Sequence, residues 1–522
     1  MQTSSRRYLS SKGVLSQSPP RSVNRTRRFV SGVASGYISI ICNIAYTAAS
    51  VPLALHYLTK EEFGLWALAQ QIAGYLLMLD LGVSFSLNRL IADQKNQVGS
   101  ATYRDWLKNG AFAFVALGLL MFALGGVFCL LAPSLFSISS SLAGDLTNIL
   151  LILTVVSSVS FSTRIFAAPL WAFQRMDAAN LLASVSLVVN FAALRLFFKM
   201  NFGVYSLALA GVFPCFLIPF LTYVFCRKNN YYPSPLLGGS FRKDYLKRLF
   251  GFGKDVFELS IGSHVLQASQ VMILSRVCGL ETAALFAIGT KLYTLISQLI
   301  YKIIESSAPG LTDIFTSGNI QLFRTRLDQL VSLTLFCGLV GGLSFFFLNY
   351  YFVGIWTQGV FSWPQTNDVF LALMLIFTSF SKWLVGSFGI LADFRSVRHL
   401  YLVEAALFLV GAGFLAPFFE IKGVLFAAFV CHVTVTIPFS FFAFGKATGL
   451  SKVFRPFAIA TFLLCLFMFI QLSNLTFSDS SFRFLLLSFS FVTFLGLGVF
   501  FVLPREFARK AWPQFDSLKN LF

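Results

Sequence analysis

Three basic side chains lie in otherwise apolar parts of this sequence: Arg164, Lys291 and Lys382. Each lies well inside an apolar run, too far from its ends for the charged group to reach water easily. A charge at membrane depth costs roughly 2.5 kcal/mol or more and usually faces a cavity. Arg and Lys donors suit phosphate oxygens, and several cations together can offset the lost hydration of a desolvated anion. The sequence therefore predicts an anion-binding cavity lined by these three residues.

Neutral polar residues in the same runs extend this predicted cavity. Gln70, Gln71 and His264 are expected to contact the uncharged part of a bound molecule. His264 has a structural alternative, which is a hydrogen bond between two helices. Among the acidic residues, Asp80 could equally cap a helix end, and Glu258 could pair with Lys254 one turn earlier.

Signatures of catalysis and of cofactor binding are weak. Ser379 to Lys382 reads SFSK, which matches the SxxK pattern of acyl-serine enzymes, but it lies in mid-membrane without companion motifs. The 8 cysteines form no CxxC pair, so neither a zinc site nor a disulfide framework is indicated. No glycine-rich nucleotide loop precedes a basic residue. We therefore expect no enzyme activity, no cofactor, no metal site and no ATP-driven step.

The composition identifies the elements that must position these residues. The chain has 522 residues, of which 57% are hydrophobic and only 12% charged, and its mean hydropathy is +0.76. Charge this sparse cannot cover a soluble globule, and apolar runs long enough to cross a bilayer recur throughout. We predict an all-α polytopic membrane protein with about fourteen transmembrane helices: 29–58, 64–86, 109–132, 146–172, 180–198, 203–226, 252–277, 282–305, 329–353, 369–392, 400–419, 422–444, 457–473 and 483–503.

The net charge of +19 follows membrane topology rather than nucleic-acid binding. The N-terminal tail and the segment between the sixth and seventh spans are rich in Lys and Arg. The alternate loops 133–145, 354–368 and 474–482 contain neither residue. This bias places both termini in the cytoplasm and these three loops outside. Membrane lipids are therefore expected partners, and nucleic acid is not.

An internal repeat organises the predicted spans. One offset of 220 residues aligns LTKEEFGLWALAQQI with CGLETAALFAIGTKL, and FGVYSLAL with KGVLFAAF. It also pairs Gln71 with Lys291 and brings Arg164 within two positions of Lys382. Two six-helix lobes of equal orientation would enclose a central cavity, as in some transporters. The predicted domains are a basic tail at 1–28, lobes at 29–226 and 252–446 with a cytoplasmic linker at 227–251 between them, two added helices at 447–503 and a tail at 504–522. Within 233–254 the basic end predicts a helix on the inner leaflet.

Several short motifs resemble one transporter family. The segment YLTKEEFGLWALAQQIAGYLLMLDLGVSFSLNR, with its EEFG turn, LDLG and NR, is similar to the Wzx-like polysaccharide and O-antigen flippases, and so is FQRMDAAN at 173–180. These flippases form the polysaccharide transporter family of the multidrug/oligosaccharidyl-lipid/polysaccharide (MOP) exporter superfamily. The resemblance covers the whole chain, including a MATE-like arrangement of six, six and two helices.

The resemblance implies a function and its partners. It implies translocation of a polyprenyl-pyrophosphate-linked oligosaccharide, a unit of O-antigen, capsule or exopolysaccharide, across the bacterial cytoplasmic membrane. Alternating access would be driven by a proton or sodium ion, for which Asp80, Glu258 and Glu404 are the candidate coupling residues. A polysaccharide polymerase and a chain-length regulator would be partners.

Other functions remain open at this point. A lipid II flippase of the same superfamily would share both the helix plan and the cationic cavity. A multidrug or cation antiporter is disfavoured because its cavity should be acidic or apolar. A glycan ligase or polymerase should carry a large outer loop, and no predicted outer loop exceeds about 15 residues. A membrane scaffold without transport activity is the remaining class.

Overall fold

The computed structural model describes the backbone of residues 22–391 and 395–439, and within this part every regular element is a helix. The N-terminal lobe contains α1 (Ser22–Tyr57), α2 (Lys60–Leu76), α3 (Val83–Asp93), α4 (Ala101–Leu135), α5 (Ser140–Ser162), α6 (Ala168–Ala172), α7 (Met176–Lys199), α8 (Tyr205–Leu209) and α9 (Val212–Lys228). The C-terminal lobe contains α10 (Lys243–Val277), α11 (Leu280–Gly289), α12 (Lys291–Thr316), α13 (Ile320–Trp356), α14 (Thr366–Leu391) and α15 (Arg395–Cys431). The predicted tails and the last two predicted spans, 457–473 and 483–503, lie outside the described residues.

The helices follow the predicted apolar runs. Of those in the described residues, eight are long and apolar enough to cross a membrane, or nine if the bent pair α2–α3 is one span. All of the first ten predicted spans coincide with one helix or with two consecutive helices. The eleventh and twelfth spans are joined in α15, which is interrupted at Glu420 by a left-handed backbone angle (φ 48°) three residues after Pro417. The protein is a multi-pass, all-α membrane protein, as predicted.

The span formed by α2 and α3 is bent by 43°. Its bend combines a short 3₁₀ segment, Leu77–Asp80, with two left-handed residues, Leu81 (φ 48°) and Gly82 (φ 73°). Glycine adopts positive φ without steric cost, so the LDLG motif of the sequence encodes this bend. The motif therefore has a structural role in shaping the helix pair.

The helix bounds of the two lobes correspond closely. Shifting α1 by 220 residues gives 242–277, and α10 is Lys243–Val277. The same shift moves α4 onto 321–355, and α13 is Ile320–Trp356. This correspondence supports the predicted duplication, while the predicted domain boundaries remain a proposal.

The two lobes contact each other at the end of the molecule where α1 turns into α2, which we call the predicted outer face. Gly64 of α2 lies so close to the backbone of Leu280 in α11 that a Cβ atom at this position would overlap the Leu280 carbonyl. The Trp356 indole N–H donates to the Ala48 carbonyl oxygen at 3.0 Å. Deeper along the same seam, the Tyr75 and Ser269 hydroxyls form a hydrogen bond. The lobes are therefore closed against each other at the predicted outer face.

The linker combines a non-helical stretch with the start of a long helix. Residues 229–242 are not helical and pack on the end of α4, where Asp105 accepts a hydrogen bond from the Ser240 N–H at 2.6 Å and lies 3.7 Å from the Arg242 guanidinium. In the linker, burial raises the pKa of the Tyr232 hydroxyl, which donates to the Phe166 carbonyl at 2.7 Å. The basic stretch predicted to form a helix on the inner leaflet makes up the first three turns of α10, which continues into the seventh predicted span. α10 begins at Lys243, directly after the anchored stretch.

Candidate functional site

Arg164 lies at an interruption in the fourth span. A 3₁₀ segment, Thr163–Ala167, follows α5. Pro169 then lies in the first turn of α6, where proline is well tolerated. The Arg164 guanidinium lies 4.5 Å from the centre of the Phe161 ring and 3.7 Å from an oxygen of Asp80. With 36% of its side chain exposed, Arg164 is a reachable cation that already has a carboxylate partner.

Asp80 has two roles in this region. Its Oδ1 atom accepts hydrogen bonds from the Ser84 N–H and the Ser84 hydroxyl, both at 3.0 Å, at the start of α3. Its other oxygen, Oδ2, faces Arg164. The structural alternative given for Asp80, a helix cap, is therefore present, and it leaves the role in ion coupling as a prediction.

Lys382 lies on the uninterrupted helix α14, in the C-terminal lobe. Its ammonium group lies 4.9 Å from the centre of the Tyr301 ring, a cation–π arrangement worth about 0.5–2 kcal/mol. The flanking residues Ser381 and Trp383 are 2% and 1% exposed, and the Trp383 N–H donates to the Thr334 hydroxyl. This packing fixes the helix face and so determines where Lys382 lies.

Polar side chains surround the aromatic face on which Lys382 rests. Tyr293 and Tyr301 of α12 lie beside Ser297 and Thr378. One turn beyond Tyr301, Glu305 forms an ion pair with Lys302 at 3.3 Å and also attracts Lys382 electrostatically. This wall of hydroxyl groups was not predicted from the sequence, although the spacing of Tyr293, Ser297 and Tyr301 places them on one helix face.

Lys291 is the first residue of α12 and directly follows the break after α11. Within the described residues, its ammonium has neither a hydrogen bond nor an ion pair. A side chain of α13 stabilises the backbone at this break: the Asn349 amide donates to the Gly289 carbonyl at 3.0 Å. Lys291 is thus the cation of the three that lacks a protein partner in the described part of the chain.

Glu404 belongs to a buried hydrogen-bonded network. Its Oε1 atom lies 2.8 Å from His432 Nδ1, and its Oε2 atom accepts from the Thr436 hydroxyl. On the other side of the ring, His432 Nε2 lies 3.1 Å from the Ser381 hydroxyl. A short π-helix, His432–Thr436, brings both His432 and Thr436 onto Glu404. The network ends one residue from Lys382, so the candidate coupling residue and the cation are neighbours in the fold.

The remaining predicted residues are less constrained. Gln70 and His264 are exposed and Gln71 is half-buried. None of these three has a hydrogen bond within the described part of the chain. Glu258 lies in α10, but its side chain is outside the described residues. The contacts therefore bring together Asp80 with Arg164, and Glu404 with the surroundings of Lys382, and the contacts of these two groups stay within their own lobes.

Comparison with known proteins identifies the family. Residues 34–315, more than half of the chain, match the family of polysaccharide biosynthesis proteins. No curated protein matches the chain significantly.

Solved structures with the same fold are transporters and flippases. An inward-facing MATE multidrug resistance transporter of the MOP superfamily aligns with a TM-score of 0.66 and 13% identity, covering 78% of this chain and 95% of its own. The lipid II flippase MurJ in an inward closed conformation aligns with a TM-score of 0.63 and 13% identity, covering 92% of this chain and 99% of its own. A MOP transporter from Pyrococcus furiosus, described as having a binding pocket of reversed polarity, aligns with a TM-score of 0.59 and 14% identity. It covers 81% of this chain and 96% of its own.

These likenesses agree with the helix plan and with the resemblance drawn from the EEFG and LDLG motifs. At such low identity they establish the fold alone, while the family match rests on the sequence itself. The chain is a member of the polysaccharide biosynthesis protein family, with the fold of the MOP superfamily.

Proposed function

We propose that this protein is a flippase that moves a polyprenyl-pyrophosphate-linked oligosaccharide across the bacterial cytoplasmic membrane. The family match supports a step in polysaccharide biosynthesis, and a chain built of membrane helices suits transport rather than catalysis. The observation that carries the substrate class is the set of deep cations, one of which, Lys291, has no protein partner in the described residues. A pyrophosphate supplies the charge that such a cation requires.

In this proposal the three cations bind the pyrophosphate in turn or together. Arg164 contributes a planar fork that can contact two phosphate oxygens, while Lys291 and Lys382 contribute point charges. Gln70, Gln71 and His264 contact sugar hydroxyls. In this proposal the substrate enters from the cytoplasmic side, and the contact of Gly64 with Leu280 would close the cavity at the predicted outer face.

Ion coupling completes the proposed cycle. Glu404 is the strongest of the three candidate coupling residues, because its hydrogen-bonded network reaches Ser381 beside Lys382. Protonation or sodium binding there would change the field at the substrate cation. Asp80 and Glu258 remain further candidates, and a polymerase and a chain-length regulator are the proposed protein partners on the outer side.

Complementation tests this function. Arg164→Ala, Lys291→Ala and Lys382→Ala are each expressed in a strain that lacks its own flippase, and surface glycan and membrane-inserted protein are both quantified. We expect strong loss of glycan at normal protein level. Arg276→Ala, a cation exposed near the end of α10, is the matched control and should complement. Full complementation by all three variants would contradict the cationic cavity.

Lipid II is the second candidate substrate, because the lipid II flippase MurJ shares the fold and the pyrophosphate is common to both lipids. Proteoliposomes that contain the purified protein and either a fluorescent lipid-linked oligosaccharide or fluorescent lipid II separate the two. Faster flipping of lipid II would overturn the assignment to oligosaccharides.

A further inference from the structure

A hydrogen bond between two amide side chains joins the lobes at membrane depth. The Asn43 amide of α1 donates to the side-chain carbonyl of Gln298 in α12 at 3.3 Å. Two turns earlier on α1, a Cβ atom at Gly36 would approach the Lys302 side chain to 2.8 Å, so the same two helices are also in contact there. Asn43 lies at the middle of the predicted first span, 29–58. The amide pair is therefore an interlobe contact far from both membrane surfaces.

Each amide keeps polar groups that the other does not use. Asn43 retains its carbonyl oxygen and one N–H, and Gln298 retains both of its N–H groups. Within the described part of the chain, no other group forms a hydrogen bond with either side chain. Both residues are half-buried, so these free groups are reachable from outside the protein. Because the lipid core offers no hydrogen bonds, polar groups at this depth require a polar partner.

The pair lies among the candidate substrate cations of the C-terminal lobe. Gln298 follows Lys291 by two turns of α12, a distance of about 10 Å, so both side chains project from the same helix face. One turn after Gln298 lies Tyr301, whose ring centre is 4.9 Å from the Lys382 ammonium. An anion bound at either lysine would therefore bring the group attached to it close to the two amides.

We propose that Asn43 and Gln298 bind the sugar of the lipid-linked substrate and that they bind each other when the lobes close without it. This inference rests on the flippase function proposed above. The chemistry of the free groups selects the sugar from the three parts of such a substrate. A sugar hydroxyl both donates and accepts, as an amide does, whereas a pyrophosphate only accepts and a polyprenyl chain does neither.

The geometry of the pair suits an exchange of partners. At 3.3 Å the bond is longer than the usual N–H···O distance of about 2.7–3.2 Å, so it is a weak one. Sugar hydroxyls can replace it when the lobes separate, and its return after release leaves neither amide without a partner. The cations then bind the pyrophosphate, and the amide pair contributes to the recognition of the sugar.

Binding of two lipids to the purified full-length protein in nanodiscs tests this role. One is the lipid-linked oligosaccharide purified from the native membrane, and the other is a synthetic polyprenyl pyrophosphate without sugar. We expect Asn43→Ala and Gln298→Ala each to weaken binding of the oligosaccharide lipid about fivefold, which corresponds to one neutral hydrogen bond. Binding of the sugar-free lipid should not change. Asn190→Ala is the matched control, because Asn190 also lies in a membrane span but accepts from Tyr46 within the N-terminal lobe.

Two further variants keep the test decisive. The double variant Asn43→Gln with Gln298→Asn retains both amides and their combined length, so it should keep the wild-type preference for the oligosaccharide lipid. If Asn43→Ala does not fold, Asn43→Ser, which is polar but too short to reach across, replaces it with the same expectation. Alanine variants that bind both lipids like the wild type, or that weaken both equally, would overturn the sugar contact and leave the proposed function standing. A wild-type protein that binds neither lipid would overturn the proposed function and this inference with it.

Discussion

Arg164 and Lys382 occupy the fourth and tenth spans, which the 220-residue offset relates, yet the two lobes hold these cations differently. Arg164 lies on an interrupted helix beside a carboxylate, Asp80, at 3.7 Å. Lys382 lies on a continuous helix over the face of Tyr301, one residue from a buried hydrogen-bonded network. The two lobes thus both have a basic residue on the spans that the offset relates, and they differ in what surrounds it.

This difference has consequences for binding. An ion pair already supplies the counter-charge for Arg164, so an incoming anion must compete with Asp80. An aromatic face stabilises the Lys382 ammonium more weakly and leaves its charge available. The lobes are therefore expected to differ in function. Lys382 of the C-terminal lobe attracts an anion more strongly, whereas Arg164 of the N-terminal lobe binds an anion only by exchanging its contact with Asp80.

The largest effect that this comparison predicts is for Lys382→Ala. Loss of one partner of a desolvated charge pair costs about 2–5 kcal/mol, so transport should fall at least about tenfold. The measurement is the flipping rate of a fluorescent lipid-linked oligosaccharide in proteoliposomes. Lys302→Ala is the matched control, because Lys302 also lies on the Glu305 side of α12 but is paired with Glu305 at 3.3 Å. Similar losses in both variants would show that general charge, and not the position of Lys382, matters.

The next effect concerns the network beside Lys382. Glu404 is 1% exposed and bonded to His432 and Thr436, so Glu404→Ala leaves buried partners unsatisfied. Breaking a buried pair in this way costs about 3–5 kcal/mol of folding stability. We expect a large fall in the thermal midpoint of the purified protein. Glu404→Gln keeps an acceptor for one partner, so its thermal midpoint should fall less. Equal midpoints for Glu404→Ala and the wild type would refute the assignment of this network.

The sequence was sufficient for most of the fold, because apolar runs of membrane length are directly visible. The sequence was less informative about which side chains contact each other. Asp80 and Arg164 were both identified as candidates, but their contact depends on how the bent second span packs on the fourth. The packing of the linker was not predicted, because its anchoring by Asp105 is a long-range contact that composition cannot encode.

A smaller effect is expected at the contact between the lobes. Gly64→Ala places a Cβ atom against the Leu280 carbonyl, and overpacking of this kind typically costs about 1–3 kcal/mol. Because the clash exists only while the lobes are closed at the predicted outer face, the variant should favour the opposite conformation. Accessibility of a cysteine placed at Ala284, which lies one turn after Leu280 on α11 and is 0% exposed, to an impermeant reagent reports the opening. Gly74→Ala on the same helix meets nothing within 4 Å and is the matched control. Unchanged labelling in Gly64→Ala would argue against this gate.

The smallest effect should come from Asp80, and it distinguishes its two contacts. As a cap of α3, Asp80 accepts from the Ser84 N–H, and loss of a cap costs about 0.5–2 kcal/mol. Asp80→Asn retains a capping oxygen and removes the charge that faces Arg164, so it should keep the thermal midpoint of the wild type. Freed from its carboxylate, Arg164 should then bind a pyrophosphate lipid more tightly, which a titration with that lipid would measure. Asp80→Ala, in contrast, should lower the thermal midpoint. If Asp80→Asn instead weakened binding, the ion pair would be part of the binding site, and the contrast between the lobes would fail.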